Sequence, residues 1–417
     1  MRIKIDKLVA GGQGLGRMEN KVFFVWEVLA GEEAEVEITK SKKNFCEGRV
    51  SKIISAAKER IPAREQHYLS CSPWQILSWV EELKWKKLIA QENFSRLAKI
   101  ELPDKLLIEA DEKNQYHYRN RIEYNFIYGR GELHWALFER KTNDLRLIEE
   151  CCLAKDELNA AAKKILIWLN TLDDRKSFSK MVILGNGRGE ILAGLFVKSQ
   201  VAKIQCPLLD EKIVGVAVFE ERENGRAVLL DQQGQKFIEE IIKKTQLRFG
   251  LDSFFQVNVP LFTIAVNDMK KFVNKRDAVV DYFSGVGAIG LLLADKFKQG
   301  VLVEENNEAA DFAEQNIALN KIENCAARRA RAADAADLIG AESVLVLDPP
   351  RAGLEKVLVE KIVQIKPKRL IYLSCDIATQ ARDVSQLKEF YNLAFVKLYN
   401  FFPRTPHIEC LCVLERK

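Results

Sequence analysis

From about residue 251 onward one unit recurs: a short apolar run, a tight turn, then a helical stretch. "DAVVDYFSGVGAIGLLLAD" and "GVLVEENNEAADFAEQNIALN" show it first, and "ESVLVLDPPRAG" and "KRLIYLSCDIATQARDVSQL" continue it. Strands that alternate with helices cannot pair as hairpins. They imply a mostly parallel sheet wrapped by helices, an α/β architecture. In such sheets ligands gather beyond the carboxyl ends of the strands, so the turns of these units are where chemistry is expected.

The chain has 417 residues, too many for one ordinary core, and divides into three parts. Residues 1–62 read as short β-prone runs, with a glycine-rich loop "AGGQGLGR" between two of them. That loop opens no helix and lacks the Lys-Ser/Thr of a phosphate loop, so a flexible hairpin is expected. A small barrel edged by Lys40, Lys42, Lys43 and Arg49 would suit RNA. Residues 63–250 read as α+β. A helix is expected over "VEELKWKKLIAQENFSRLAKI", with Leu83, Leu88, Phe94 and Leu97 near one face. Hairpins are expected at "YHYRNRIEYNFIYGRGELHWALFER" and "KMVILGNGRGEILAGLFV", and a helix at "NAAAKKILIWLNTL". Arg119, Arg121 and Arg130 beside Tyr116, Tyr118 and Tyr124 form either an aromatic-basic RNA surface or ordinary strand faces.

Composition narrows the class. Hydrophobic residues at 47% and charged residues at 29% fit a soluble globular chain. No apolar run reaches the roughly 18 residues needed to cross a bilayer, and the N-terminus has no signal-peptide core. Nine cysteines are few for a secreted disulfide scaffold, so a cytoplasmic protein is expected. The net charge of +5 permits a nucleic-acid partner without demanding one.

Several turn residues carry chemical meaning. Gly285 and Gly287 in "DYFSGVGAIG" allow a tight strand-to-helix turn, and Glu304 ends the next strand, where a carboxylate can accept both ribose hydroxyls of an adenosine. Gly290 completes Gly-x-Gly-x-x-Gly, so this motif alone leaves a dinucleotide open. Asp348 ends the next strand before Pro349 and Pro350, whose fixed backbone makes a rigid shelf beside a pocket. Cys375 ends another strand, where the following helix start is expected to favour its thiolate. Glu409, in an apolar C-terminal setting, is expected to have a raised pKa useful to a general base.

Taken together, these segments resemble the RNA uracil-5-methyltransferases. "YRNRIEYNF", "FFQVN", "DYFSGVG", "DPPRAGL", "LSCD" and "FPRTPHIE" follow that family's order, and the resemblance covers nearly the whole chain. It implies an N-terminal OB-like TRAM barrel over 1–62, a central α+β domain over 63–250, and a Rossmann-like S-adenosylmethionine methyltransferase domain over 251–417. By the same resemblance Gln256, Phe283, Gly285, Glu304 and Asp348 contact S-adenosylmethionine, with Asp334 near the adenine. Cys375 is the nucleophile, Glu409 the general base, and His407 the signature histidine. The implied activity is methylation of carbon 5 of a uridine, in 23S rRNA by preference or in tRNA, by a monomer. The alternatives are an amino-directed methyltransferase using Asp348-Pro349-Pro350-Arg351 without covalent catalysis and an inactive RNA-binding protein.

The sequence departs from the family in three places. Ala288 replaces an asparagine after the glycine turn, and Arg404 stands where histidine or a similar residue usually precedes the threonine. Many members hold a [4Fe–4S] cluster on Cys-x5-Cys-x2-Cys plus a later cysteine. Here "AREQHYLSCSPWQ" retains only Cys71, and Cys151 or Cys152 matches the fourth position. Four thiolates are required. No cluster and no metal is therefore expected, with these cysteines read as buried thiols and a disulfide or weak metal site as the alternative.

Overall fold

The N-terminal strands alternate inward apolar and outward charged residues, Ile3 and Ile5 inward against Arg2 and Lys4 outward. In the computed structural model, which describes residues 1–417 other than 141, 143, 199–210 and 223–226, they close on themselves. Strands β1 (Arg2–Leu8), β2 (Gly14–Met18), β3 (Lys21–Trp26), β4 (Glu33–Ser41) and β5 (Phe45–Ser55) form a closed barrel in the order β1-β2-β3-β5-β4. Of the basic residues expected at its edge, Lys40 pairs with Glu47 at 3.4 Å and Arg49 with Glu139 at 2.8 Å. Lys42 and Lys43 are exposed. The glycine-rich β1–β2 loop is a hairpin but not a free one. Gly12 has φ +101°, a Cβ there would lie 2.9 Å from Pro406 Cγ, and the Gly12 carbonyl accepts the Trp74 indole N–H at 3.2 Å. The loop tip is docked against the C-terminal signature.

A short helix α1 (Tyr68–Cys71) and a long one, α2 (Trp79–Asn93), follow, the latter ending in a π-helical turn, Phe94–Ala98. The expected apolar face of α2 is only partly the buried one. Phe94 is buried, but Leu88 and Leu97 face solvent, and the inward residues are Glu82, Lys86, Ile89 and Ala90. The helix has turned a charged pair into the core. Lys86 Nζ donates to Glu82 Oε1 at 2.8 Å, to Asn400 Oδ1 at 2.5 Å and to the Phe402 carbonyl at 3.1 Å. Glu82 also accepts the Arg404 backbone N–H at 3.1 Å. Burial lowers the Lys86 pKa, while the Glu82 carboxylate opposes that shift. Breaking one partner of such a pair strands the other charge, so Lys86→Met is expected to cost about 3–5 kcal/mol of stability in urea unfolding. A loss within ~1 kcal/mol would show that the pair is dispensable.

After the short strand β6 (Ile108–Glu109) comes the central sheet. It is built from β7 (Arg121–Gly129), β8 (Glu132–Phe138), β9 (Leu145–Leu147), β10 (Phe178–Gly185), β11 (Ile191–Val197), β12 (Ile213–Glu221) and β13 (Ala227–Gly234), with α3 (Asp156–Leu169) packed on it. Its order is β13-β12-β11-β10-β7-β8-β9. The expected hairpins β7–β8 and β10–β11 are both present. Tyr118 and Tyr124 are core residues, Tyr124 stacked on Trp135 at 5.0 Å, so the aromatic-basic stretch reads mostly as strand faces. Arg121 donates to the Leu251 and Ser253 carbonyls at 2.8 and 3.3 Å. A two-stranded hairpin, β14 (Ile238–Ile242) and β15 (Thr245–Phe249), leads into the last third.

There the expected strand-helix rhythm is realised. The elements are α4 (Val259–Met269), β16 (Ala278–Tyr282), α5 (Ala288–Leu293), β17 (Gln299–Glu304), α6 (Asn307–Leu319), β18 (Cys325–Arg329), β19 (Ser343–Leu347), α7 (Lys356–Ile365), β20 (Arg369–Ser374), α8 (Ile377–Leu387), β21 (Tyr391–Tyr399) and β22 (Glu409–Arg416). The sheet order is β18-β17-β16-β19-β20-β22-β21-β6, parallel from β18 to β20 and antiparallel at β22. Every residue of β19 is buried, as a central parallel strand requires. Strand order reverses at β16, whose neighbours β17 and β19 lead away in opposite directions, opening a crevice at their carboxyl ends. Packing also draws residues 79–109 to this sheet: β6 pairs with β21, and α2 lies on α8. Among the described residues no helix is long and apolar enough to cross a membrane.

Candidate active site

The turn after β16 is shaped by positive φ at Phe283 (+62°), Gly285 (+54°) and Gly287 (+86°). A left-handed phenylalanine is a strained choice of the kind that clusters at functional sites. A Cβ on Gly285 would meet only the Phe254 carbonyl at 3.7 Å, so this backbone borders open space. Gly290 has a different reason. A Cβ there would strike Leu302 Cδ2 at 2.2 Å, and its N–H donates to buried Asp281 at 2.9 Å, so it serves helix–strand packing. Glu304 closes the turn from β17, its Oε2 accepting the Gly285 N–H and its Oε1 the Asn306 N–H, both at 2.8 Å.

Across the crevice, Asp348 follows β19 and accepts from Gln256 Nε2 at 3.2 Å. Burial raises its pKa to about 7. The Gln256 carbonyl accepts Asn120 Nδ2 at 3.0 Å, and Tyr118 Oη donates to the Pro403 carbonyl at 3.2 Å. The Tyr118-Arg119-Asn120 stretch thus holds two loops of the catalytic domain at once. Asp334 stands apart: it is exposed in a 3-10 turn after β18, with Arg331 Nε 3.8 Å from its carboxylate.

Cys375 and Glu409 come together through sheet register. Ser374, the last residue of β20, pairs with Cys410 of β22, so Cys375 follows and Glu409 precedes that final pair, and the Glu409 carboxyl acts on the Cys375 thiol. Glu409 is 4% exposed and its Oε2 has no hydrogen-bond partner. Burial pushes its pKa well up, Asp348 adds to the rise, and Arg351 opposes it. For Cys375 the expected thiolate is not what the free protein favours. Burial, then Glu409 and Asp348, push the thiol up to about 12. The helix start that was expected to lower it is occupied by Asp376, whose carboxylate accepts the Ala378 and Thr379 N–H groups at 3.1 and 2.9 Å. Alkylation of Cys375 by iodoacetamide, followed by peptide mass spectrometry, is therefore expected to keep accelerating with pH through 9. A plateau near neutrality would contradict this environment.

Sequence reasoning named Arg351, Arg404 and His407 but not the contacts by which they hold this site. Arg351 Nη2 lies 3.3 and 3.2 Å from the two ring nitrogens of His407. Burial, with Arg351, Arg140 and Arg119 nearby, lowers His407 to about 3, so its ring is neutral at physiological pH. Arg404 is buried, donates to the Leu77 carbonyl at 2.7 Å and lies over the Trp79 and Tyr116 rings. Its departure from the usual residue thus has a structural use. Only the Glu82–Lys86 spacing hinted at the partner network, since i,i+4 opposite charges also occur on solvated faces.

The family model described as tRNA (uracil-5-)-methyltransferase matches residues 79–417, and a TRAM domain model matches 1–51. This chain belongs to the tRNA (uracil-5-)-methyltransferase family. It is an S-adenosylmethionine-dependent RNA methyltransferase. Curated relatives from Fusobacterium nucleatum and Aquifex aeolicus, both called uncharacterized RNA methyltransferases, are each 29% identical. The alignments cover all of this chain in each case, with 96% and 99% of the relatives. Among solved structures, Pyrococcus abyssi tRNA (uracil-54, C5)-methyltransferase, in complex with S-adenosyl-L-homocysteine, superposes with a TM-score of 0.78. It is 21% identical, with 99% of this chain and 100% of that one covered, so the whole three-part fold is shared.

The residues present fit the family's cofactor. Besides open space at Gly285 and the carboxylate of Glu304, the turn buries Ser284 Oγ without a partner. They do not fit a [4Fe–4S] cluster. Of the three cysteines expected nearby, Cys71 and Cys151 approach His67, while Cys152 Sγ accepts from Gln75 Nε2 at 3.4 Å. Two thiols and an imidazole are not four thiolates.

Proposed function

We propose that this enzyme methylates carbon 5 of a uridine in folded RNA through a covalent adduct on Cys375. The observation that carries the reading is the end of the β20–β22 ladder, which brings a strand-end thiol beside a buried carboxyl whose Oε2 has no hydrogen-bond partner. S-adenosylmethionine supplies the methyl group, with Gln256, Phe283, Gly285, Glu304 and Asp348 as its proposed contacts and Asp334 at the outer rim. Carbon 5 of uracil is by itself a poor nucleophile. Once its thiol proton has passed to solvent, Cys375 Sγ adds to carbon 6 and moves the ring electrons onto the O4 side as an enolate. Carbon 5 then attacks the sulfonium methyl, breaking the S–CH3 bond and releasing S-adenosylhomocysteine. The adduct now carries both the methyl and the original hydrogen on carbon 5. Glu409 removes that proton, the 5,6 double bond re-forms, and the Cys375 thiolate leaves. Neutral His407 carries no proton to donate as an imidazolium and serves instead to position the loop and Arg351. The exposed cationic Arg351 beside His407 favours a polyanion at the site. The uridine must leave its stack to reach the crevice.

For the substrate, 23S rRNA remains the first proposal. A tRNA is the second reading, favoured by the shared fold of the Pyrococcus protein, which acts on tRNA by its own description. Action as a monomer on a cytoplasmic RNA is proposed. Incubating unmodified tRNA and 23S rRNA separately with enzyme and S-adenosylmethionine, then analysing nucleosides by mass spectrometry, tests the reading. 5-Methyluridine in either RNA supports it and names the substrate. A methyl group found on an exocyclic amine would overturn it.

A further inference from the structure

Outside the active site, three metal-binding side chains from separate segments converge. His67 and Cys71, four residues apart at α1, meet Cys151 from the turn before α3, and one ligand atom of each lies within 4.8 Å of the others. His67 and Cys151 are buried. His67 Nε2 makes no hydrogen bond, although Glu65 Oε1 is 3.2 Å away. Glu65 also approaches Cys71, with its Oε2 3.8 Å from Cys71 Sγ. Its carboxylate is oriented by the Cys152 N–H at 2.5 Å and by Gln75 Nε2 at 2.9 Å. Metal ligands are commonly steadied by such outer partners.

From this geometry we propose that His67, Cys71, Cys151 and Glu65 form a mononuclear zinc site. Two thiolates, an imidazole and a carboxylate are a donor set of borderline softness in the number that tetrahedral zinc prefers. Zinc bond lengths place neighbouring ligand atoms roughly 3.3–3.8 Å apart, so the three converging atoms need to close by at most about 1–1.5 Å. A cleft of about 530 Å³ lined by Glu65, His67, His134, Arg146, Glu149 and Glu150 gives an ion a route to them. Its carboxylates outnumber its one arginine, which favours a cation. Binding releases the thiol protons to solvent and changes no oxidation state. The ion would staple the segment after the barrel to the central domain. That segment carries Trp74, whose N–H donates to the Arg404 carbonyl at 3.1 Å and whose indole holds the Gly12 loop, so the staple reaches the catalytic signature.

The test uses the full chain, stripped with a chelator under reducing conditions and titrated with zinc against a chromophoric competitor. About one zinc per chain is expected. Cobalt in its place should show thiolate-to-metal charge transfer and the visible bands of a tetrahedral ion, a readout that needs no variant. Cys151→Ser should weaken zinc by at least about 100-fold, whereas Cys152→Ser should not. Substoichiometric zinc, an octahedral cobalt spectrum, or equal affinity in Cys151→Ser would overturn the proposal. So would iron–sulfur absorbance in protein prepared anaerobically, or a Cys71–Cys151 disulfide that resists reduction.

Discussion

Cys375→Ala is expected to lower methyl transfer by about 10³-fold or more while leaving S-adenosylmethionine affinity within about twofold. The reason lies in the substrate rather than the cofactor. Without addition at carbon 6, carbon 5 of uracil has no electron pair able to displace a methyl group from a sulfonium. Cys375→Ser should fare little better, because an alcohol is a far weaker acid than a thiol and the same buried carboxylates oppose its ionisation. Single-turnover transfer to RNA, with cofactor affinity measured by calorimetry, separates the two effects. An amino-directed methyltransferase would keep its activity in Cys375→Ser, so substantial activity there would remove the covalent reading.

The second large effect is expected at the other end of the reaction. Glu409→Gln preserves the shape of the side chain but removes the base, so resolution of the adduct should slow by about 10²–10⁴-fold. The variant should still methylate once and then remain attached to its RNA, visible as a slowly migrating band on a denaturing gel. The pH dependence of the wild type follows from the same two groups. Both Cys375 and Glu409 are held toward their protonated forms, and both must lose a proton to act. The rate should therefore rise with pH across neutrality. For stability the sign is reversed: a carboxyl with a raised folded-state pKa contributes fully below its unfolded value. That contribution is lost as pH climbs through the raised value. The conditions that ionise Glu409 for catalysis thus also load the fold with a buried charge.

The parallel sheet was legible because β16, β17, β19 and β20 are short apolar runs, each ending in a turn with its own signature. Those same turns brought Gly285, Glu304, Asp348 and Cys375 to one edge, as parallel topology demands. Less was legible where a residue's meaning depends on a distant partner. Helix α2 read as an amphipathic helix with leucines inward, yet it buries Glu82 and Lys86 because Asn400 and Arg404, more than 300 positions away, complete their hydrogen bonds. The glycine loop at Gly12 read as free because nothing local shows Pro406 against it. The acidity of Cys375 was misjudged for the same reason. The helix start next to it was visible, but the prior claim of Asp376 on that start was not, nor was the burial of the thiol beside the Glu409 and Asp348 carboxyls.

The most direct test of the account uses RNA in which uridine is replaced by 5-fluorouridine, incubated with the enzyme and S-adenosylmethionine. Fluorine on carbon 5 cannot leave as a proton, so the last step is blocked whatever the state of Glu409. The account predicts a denaturant-stable protein–RNA complex whose methylated nucleotide maps to the Cys375 peptide, and none with Cys375→Ala. Methylation of the same RNA with no covalent complex, or a complex that survives in Cys375→Ala, would contradict it.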